Sequence, residues 1–201
     1  MITLLAAPIT LFIYIVATFA AVFVWPTLRL RLSSGINALV LPQGDSGEAV
    51  VGRWFKGALV LLAAMSALAA FAPAPYDVIG PIALPFAGVR LYAGWAILVA
   101  ALAWIAIAQV QMGRSWRIGV DPAKTELKAA GLFAVSRNPI FLGMRAMLVG
   151  VFLVAPNALS LAVLLLGEAL IQLQVRFEEA HLERIEGEAY RAYRARVPRW
   201  L

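Results

Sequence analysis

The sequence predicts an all-α, polytopic integral membrane protein with about five transmembrane helices. Three observations predict it. The 201-residue chain is 63% hydrophobic with a mean hydropathy of +0.86, whereas soluble domains seldom exceed half apolar. Its apolar residues form continuous runs, not the alternation of a membrane β-strand. Each run approaches the ~20 residues that cross a hydrocarbon core as helix.

The runs fall at residues 4–24, 54–72, 91–110, 140–154 and 158–175. The first lacks a basic start, so it reads as a retained helix and not as a cleaved signal. The fourth is short, about 24 Å at 1.5 Å per residue. Only Ala155-Pro156-Asn157 separates it from the fifth. Proline and asparagine suit a sharp turn, so these two helices should form an antiparallel hairpin. Residues 73–89 hold four prolines among apolar residues and should lie in the outer interface. Residues 33–52, with several glycines and Pro42, read as a flexible loop.

The net charge is +6, and its placement is more informative than its size. Arg29, Arg31, Arg53 and Lys56 flank the first loop. Arg114, Arg117, Lys124, Lys128 and Arg137 fall between spans three and four. Arg176, Arg184, Arg191, Arg194, Arg196 and Arg199 follow span five, and Arg90 stands alone on the other side. The positive-inside rule then sets the N-terminus outside and the C-terminus in the cytoplasm. No nucleic-acid partner is expected. The chain has no cysteine, which excludes disulfides and thiol nucleophiles. Its single histidine, His181, leaves too few nitrogen ligands for an ordinary zinc site, so no metal is expected.

Beyond span five, residues 176–196 read as a cytoplasmic amphipathic helix, with Phe177, Leu182, Ile185, Ala189 and Ala192 at three-four spacing. Glu178 falls with Leu182 and Ile185, and Glu179 with Glu183 and Glu186. The neighbouring carboxylates should therefore meet different surroundings. Gly187 should loosen this helix in its middle. Ionisable groups thus gather at one membrane edge, where Ser136-Arg137-Asn138-Pro139 enters span four and Glu178-Glu179 leaves span five. Such groups mark a site by default. Arg145 and Glu168 lie inside spans four and five at similar depth. They read first as an ion pair across the hairpin, with a second reading in which Arg145 lines a cavity. Gly113-Arg114-Ser115-Trp116-Arg117 reads first as an interfacial anchor, with a second reading in which it covers a bound cofactor.

Arg137-Asn138-Pro139-Ile140-Phe141-Leu142-Gly143 resembles the Arg-His-Pro-x-Tyr-x-Gly signature of the isoprenylcysteine carboxyl methyltransferase family. Glu178-Glu179-Ala180-His181-Leu182, then Gly187, Tyr190, Tyr193 and Val197-Pro198-Arg199, is similar to that family's C-terminal pattern, and Gly131-Leu132-Phe133 to its Gly-x-Tyr/Phe element. The resemblance spans about residues 111–201, which it marks as the catalytic region, with residues 1–110 as the N-terminal membrane helices. Asn138 stands where the eukaryotic enzymes have histidine, Phe141 where they have tyrosine and Glu186 where they have phenylalanine. The wider group resembled includes enzymes acting on phospholipid amines, thiols and prenylated cysteines, and a prokaryotic member would sit in the inner membrane.

The resemblance implies S-adenosylmethionine held at the cytoplasmic ends of spans four and five. The residues it implies for the cofactor are Gly131, Leu132, Asn138, Pro139, Phe141, Gly143, Glu178, Glu179, Leu182, Tyr190 and Tyr193. For catalysis it implies Arg137, with Arg145 next. No glycine-rich nucleotide fingerprint is present, so side chains and helix ends would hold the cofactor. Carboxylates can accept from ribose hydroxyls or the ammonium, and an arginine can clamp a carboxylate with two bonds. The implied reaction is methyl transfer to a lipophilic, membrane-partitioned acceptor. Its leading form is carboxyl O-methylation of an isoprenylcysteine-like or other lipophilic carboxylate. Such a nucleophile is already ionised near neutral pH and needs only orientation and proximity. The alternatives are N- or S-methylation of a phospholipid amine or small thiol, and a non-catalytic membrane binding or assembly protein.

Overall fold

The computed structural model describes residues 8–35, 44–113 and 127–201. The described residues are helical throughout apart from turns, and no strand is present among them; one isolated bridge joins Pro81 to Asn157. The helices are α1 (Pro8–Ser34), α2 (Gly47–Phe71), the short α3 (Pro73–Asp77), α4 (Ala87–Met112), α5 (Pro139–Val154), α6 (Ala158–Glu186) and α7 (Glu188–Arg196). Among the described residues, α1, α2, α4 and α6 are long and apolar enough to cross a membrane. The predicted short span is α5, 16 residues or about 24 Å long.

Four helices outrun the expected spans: α2 begins at Gly47 and takes residues 47–52 from the expected loop, α4 covers Ala87–Met112 around the expected 91–110, and α1 and α6 extend furthest. Helix α1 continues ten residues past Val24, and a π-helical turn at Ala20–Val24 makes this possible. Pro26 has no N–H for the carbonyl of Val22, and its ring would crowd that carbonyl. The wider π turn relieves the crowding. The orphaned Val22 carbonyl instead accepts from Gln109 Nε2 of α4 at 2.7 Å. The proline therefore reshapes the helix without ending it, and a side chain from a neighbour completes the bonding.

The second correction concerns the amphipathic helix expected over residues 176–196. Its first half is the continuation of span five, so α6 runs unbroken for 29 residues, about 44 Å. The break comes at Gly187, with φ +54° and ψ −121°, a backbone state that side chains other than glycine rarely adopt. The inward face of α6 also differs from the expectation. Glu179 is buried and Glu178 half-buried, so the acidic member assigned to the polar face points into the protein.

The α5–α6 hairpin forms as the turn residues predict. Asn157 caps α6 in a reciprocal box: its side chain accepts from Ser160 N–H at 2.8 Å, and Ser160 Oγ accepts from Asn157 N–H at 3.0 Å. Such caps stabilise by about 1 kcal/mol. Asn157 Nδ2 also donates to Tyr76 Oη (3.0 Å) and the Ala155 carbonyl (3.0 Å), which satisfies a fully buried amide. The proline-rich segment folds against this turn, with Ile82 N–H donating to Pro156 and Ala158 N–H to Gly80. Beside it, the Arg90 guanidinium donates to the Leu153 carbonyl.

Helices α4 and α5 pack tightly, because glycines let the backbones approach. A Cβ on Gly143 would lie 2.5 Å from Ile105 Cγ1, and one on Gly150 would lie 2.8 Å from Leu98. Around this crossing a core of Leu11, Leu62, Met65, Trp95, Leu98 and Val151 closes the half of the bundle near the hairpin turn. At the opposite, basic end, α6 projects beyond α5. There Tyr190, Tyr193 and Val197 form a second core with Leu127 and Leu182.

Candidate active site

The site is built where α5 begins and α6 continues past it. At 1.5 Å per residue, Glu179 stands about 32 Å from the start of α6, the far edge of a hydrocarbon layer about 30 Å thick. Gly131–Ala134 forms a 3₁₀ turn before α5. Gly131, at φ +63°, presses on Gln111 so closely that a Cβ would clash with the amide, and Gln111 Oε1 accepts from Leu132 N–H at 2.8 Å. The turn fixes the approach of Ser136, Arg137 and Asn138. Pro139 occupies the first helical position, where no N–H is needed, and its carbonyl accepts from Trp104 Nε1 at 2.9 Å.

Glu179, 6% exposed, is the hub. Its Oε1 accepts from Arg137 Nη2 (3.0 Å), Asn138 Nδ2 (3.1 Å) and Arg199 Nε (3.1 Å), and its Oε2 from Arg199 Nη2 at 2.7 Å. A charge this buried persists only when it is paired and hydrogen-bonded. Arg137, 9% exposed at its side chain, uses all three guanidinium nitrogens: Nε and Nη2 on Glu179, and Nη1 on the carbonyl of Val197 at 2.7 Å. Its N–H donates to the Pro198 carbonyl at 3.0 Å. Ser136 Oγ and Asn138 Nδ2 both donate to the Arg199 carbonyl. Residues 197–200 are thus strapped over the start of α5.

The structure therefore brings Arg137, Asn138, Pro139 and Glu179 together, with Leu182, Tyr190 and Tyr193 packed alongside. The tyrosines are core residues. Tyr193 Oη donates to the Phe133 carbonyl at 2.6 Å. Tyr190 is 1% exposed, and its hydroxyl lies near Arg137 and Glu179 without a hydrogen bond of normal geometry. Burial pushes both phenols up to about 12. Glu178 stands apart, accepting from Gln174 through Oε1 at 3.3 Å. Gly131 and Gly143 serve close packing, and Phe141 is half-buried on α5. Arg145 pairs with Glu168 across the hairpin, Nε to Oε2, at 2.7 Å.

Sequence reasoning did not single out Gln111, Gln172 or Trp200. Gln111 and Gln172 are polar residues in apolar helices, a signal that was available. Trp200 carries none: its guanidinium contact with Arg145 (4.4 Å to the ring centre) joins residues 55 positions apart. Arg114, Ser115, Trp116, Arg117 and Lys124 lie outside the described residues, as do residues 4–7 of the first run and 36–43 of the first loop.

A family model described as phospholipid methyltransferase matches residues 89–189, half of the chain, from the start of α4 into α7. The chain belongs to the phospholipid methyltransferase family. It is thereby one of the integral membrane methyltransferases to which the isoprenylcysteine-type enzymes also belong. The family segment contains Arg137, Asn138, Arg145, Glu168, Glu178 and Glu179, whereas Tyr190, Tyr193 and the strap lie past its end. No curated protein and no solved structure matches the chain.

Proposed function

We propose that this membrane methyltransferase moves a methyl group from S-adenosylmethionine to a lipophilic carboxylate, isoprenylcysteine-like or similar, that reaches it from within the bilayer. The observation that carries the reading is the Glu179 hub at the membrane edge, which joins both signature segments through Arg137 and Asn138. The residues fit the cofactor. A buried tyrosine hydroxyl without a hydrogen bond of normal geometry stands beside the hub, and Glu178 keeps an oxygen to which no described residue donates. When bound, S-adenosylmethionine supplies an electrophilic methyl on a sulfonium. An acceptor oxygen would take that methyl, with the carbon–sulfur electron pair left on sulfur, and the part of this chain would be to hold the two reactants in line.

Glu178 is the proposed acceptor of the ribose hydroxyls or ammonium, because Glu179 is already saturated. Arg137 is a positioning residue that holds Glu179 and the strap in register. The catalytic region is residues 111–201, carried on the helices of residues 1–110, and the basic end faces the cytoplasm of a prokaryotic inner membrane. An apolar cavity of about 300 Å³ opens among α1, α2, α5 and α6 and is lined by Phe19, Phe23, Phe55, Met144 and Leu148. It suits the tail of a lipophilic acceptor that enters sideways between helices.

Isothermal titration of the detergent-purified protein tests the cofactor assignment. Saturable heat is expected with S-adenosylmethionine and with its demethylated product. No heat and no thermal shift at millimolar cofactor would remove the reading. Labelled cofactor with a lipid extract, followed by mass analysis of the product, then separates O- from N- and S-methylation. A labelled phospholipid amine would establish the second reading, which the family's description favours.

A further inference from the structure

Deep in the hairpin, Arg145 and Glu168 are arranged for more than mutual neutralisation. Counted from the hairpin turn, Arg145 stands about 14 Å along α5 and Glu168 about 15 Å along α6, half-way through a hydrocarbon layer. Ionisable groups at that depth mark function by default. A purely structural pair would close the guanidinium fork, two N–H groups onto two carboxylate oxygens. Here a single bond joins them, Nε to Oε2 at 2.7 Å, while Oε1 accepts from Gln172 Nε2 at 2.8 Å. Neither terminal nitrogen of Arg145 has a hydrogen bond among the described residues. The side chains are 30% and 37% exposed. Trp200 covers the flat face of the guanidinium at 4.4 Å, which fixes its plane and leaves the Nη edge open.

The pair is linked to the hub along both helices and through the strap. Glu168, Gln172, Val175 and Glu179 share one face of α6 at four-three-four spacing. Asn138 and Arg145 are two turns apart on α5, about 10 Å. Trp200 ends the strap that Arg137 and Asn138 hold.

We propose that the open Nη edge of Arg145 receives the anionic oxygen of a lipid-tailed acid, a carboxylate or a phosphate, with Glu168 as its positioning partner. This deepens the methyltransferase reading by assigning the acceptor's charge. A fixed guanidinium offers two parallel N–H groups that match a two-oxygen anion. A protonated amine would meet like charge at the same edge. The depth selects molecules that already partition into the bilayer. The partly exposed side chains leave room for the anion without breaking the Glu168 bond.

The test uses four probes with one tail at pH 8: dodecanoate, dodecyl phosphate, methyl dodecanoate and dodecylamine. Thermal unfolding of the full-length protein in detergent is the readout, and it needs no turnover. At least one of the two anions should raise the midpoint by about 3 °C over the methyl ester; which one does so separates a carboxylate source from a phosphate source. The increment should vanish in Arg145→Gln and fall by half or more in Arg145→Lys, which also decides the matter if the glutamine variant does not fold. Equal shifts for acid and ester, the largest shift with the amine, or an unchanged increment in the lysine variant would overturn the proposal. Cofactor titration of the same samples is independent. Loss of cofactor binding would end the methyltransferase reading and leave the oxyanion site standing, and the reverse pattern would do the opposite.

Discussion

Glu179 and Glu178 are adjacent in the chain and opposite in circumstance. Removing the Glu179 carboxylate leaves the buried Arg137 guanidinium without its counter-charge and frees Arg199, and with it the strap, from the hub. Breaking one side of a buried pair typically costs about 3–5 kcal/mol. Glu179→Ala should therefore lower the unfolding midpoint and open residues 187–201 to protease. Glu178 has one long bond to Gln174, so Glu178→Ala should fold normally. Its loss of a charged hydrogen bond to the cofactor should cost about 1.5–3 kcal/mol, a ten- to hundredfold weaker titration. Identical behaviour of the two variants in melting and titration would contradict this division of labour. The same logic applies to Arg137. Lysine keeps the charge, but a single ammonium cannot reach Glu179 and the Val197 carbonyl together, so Arg137→Lys should loosen the strap.

Between elements, the glycines separate two kinds of constraint. Gly143 is fixed by space. Alanine there would place Cβ 2.5 Å from Ile105 Cγ1 and 3.2 Å from Trp104 Cδ1, forcing α4 and α5 apart and pulling on the Trp104–Pro139 bond. Overpacking of this kind costs about 1–3 kcal/mol. Gly187 is fixed by backbone. Nothing lies within 4 Å of a Cβ there, yet φ +54° strains any other residue by about 1–3 kcal/mol. Hydrogen exchange distinguishes the two. Gly143→Ala should raise exchange along α4 and α5, and Gly187→Ala only in α7 and the strap. Global loosening by Gly187→Ala would mean that α7 supports the whole bundle.

Taken whole, the molecule joins a membrane bundle to a small polar lobe at its basic end, and the two have different chemical limits. Tyr190 and Tyr193 rise to about 12, chiefly through burial, from an ordinary value near 10. A phenol whose folded pKa is raised stabilises fully below about pH 10 and loses that contribution as pH climbs towards 12. The lobe should hold to about pH 10 and release α7 between 10 and 12, while the bundle, whose core contains no such group near α7, stays folded. Protease access to α7 across pH 8–12 checks this; release at pH 9 would place the tyrosines outside the lobe's core.

What the chain determined by itself is what depends on local order. Continuous apolar runs fix a helical membrane protein, Ala155-Pro156-Asn157 fixes the hairpin, and the spacing of Arg137 through Tyr193 identifies the family. Pairing Arg145 with Glu168 followed from equal depth across that hairpin. Tertiary structure alone decided the rest. Pro26 marks a helix end by local rules, and only Gln109 from another helix lets the helix continue. Which glutamate of the pair enters the hub depends on where Arg137 and Arg199 converge, 42 and 20 residues away. Trp200 carries no local signal because its contact with Arg145 exists only once the strap is tied. Periodicity records which face of a helix is apolar; it does not record which distant charges a fold will set against that face.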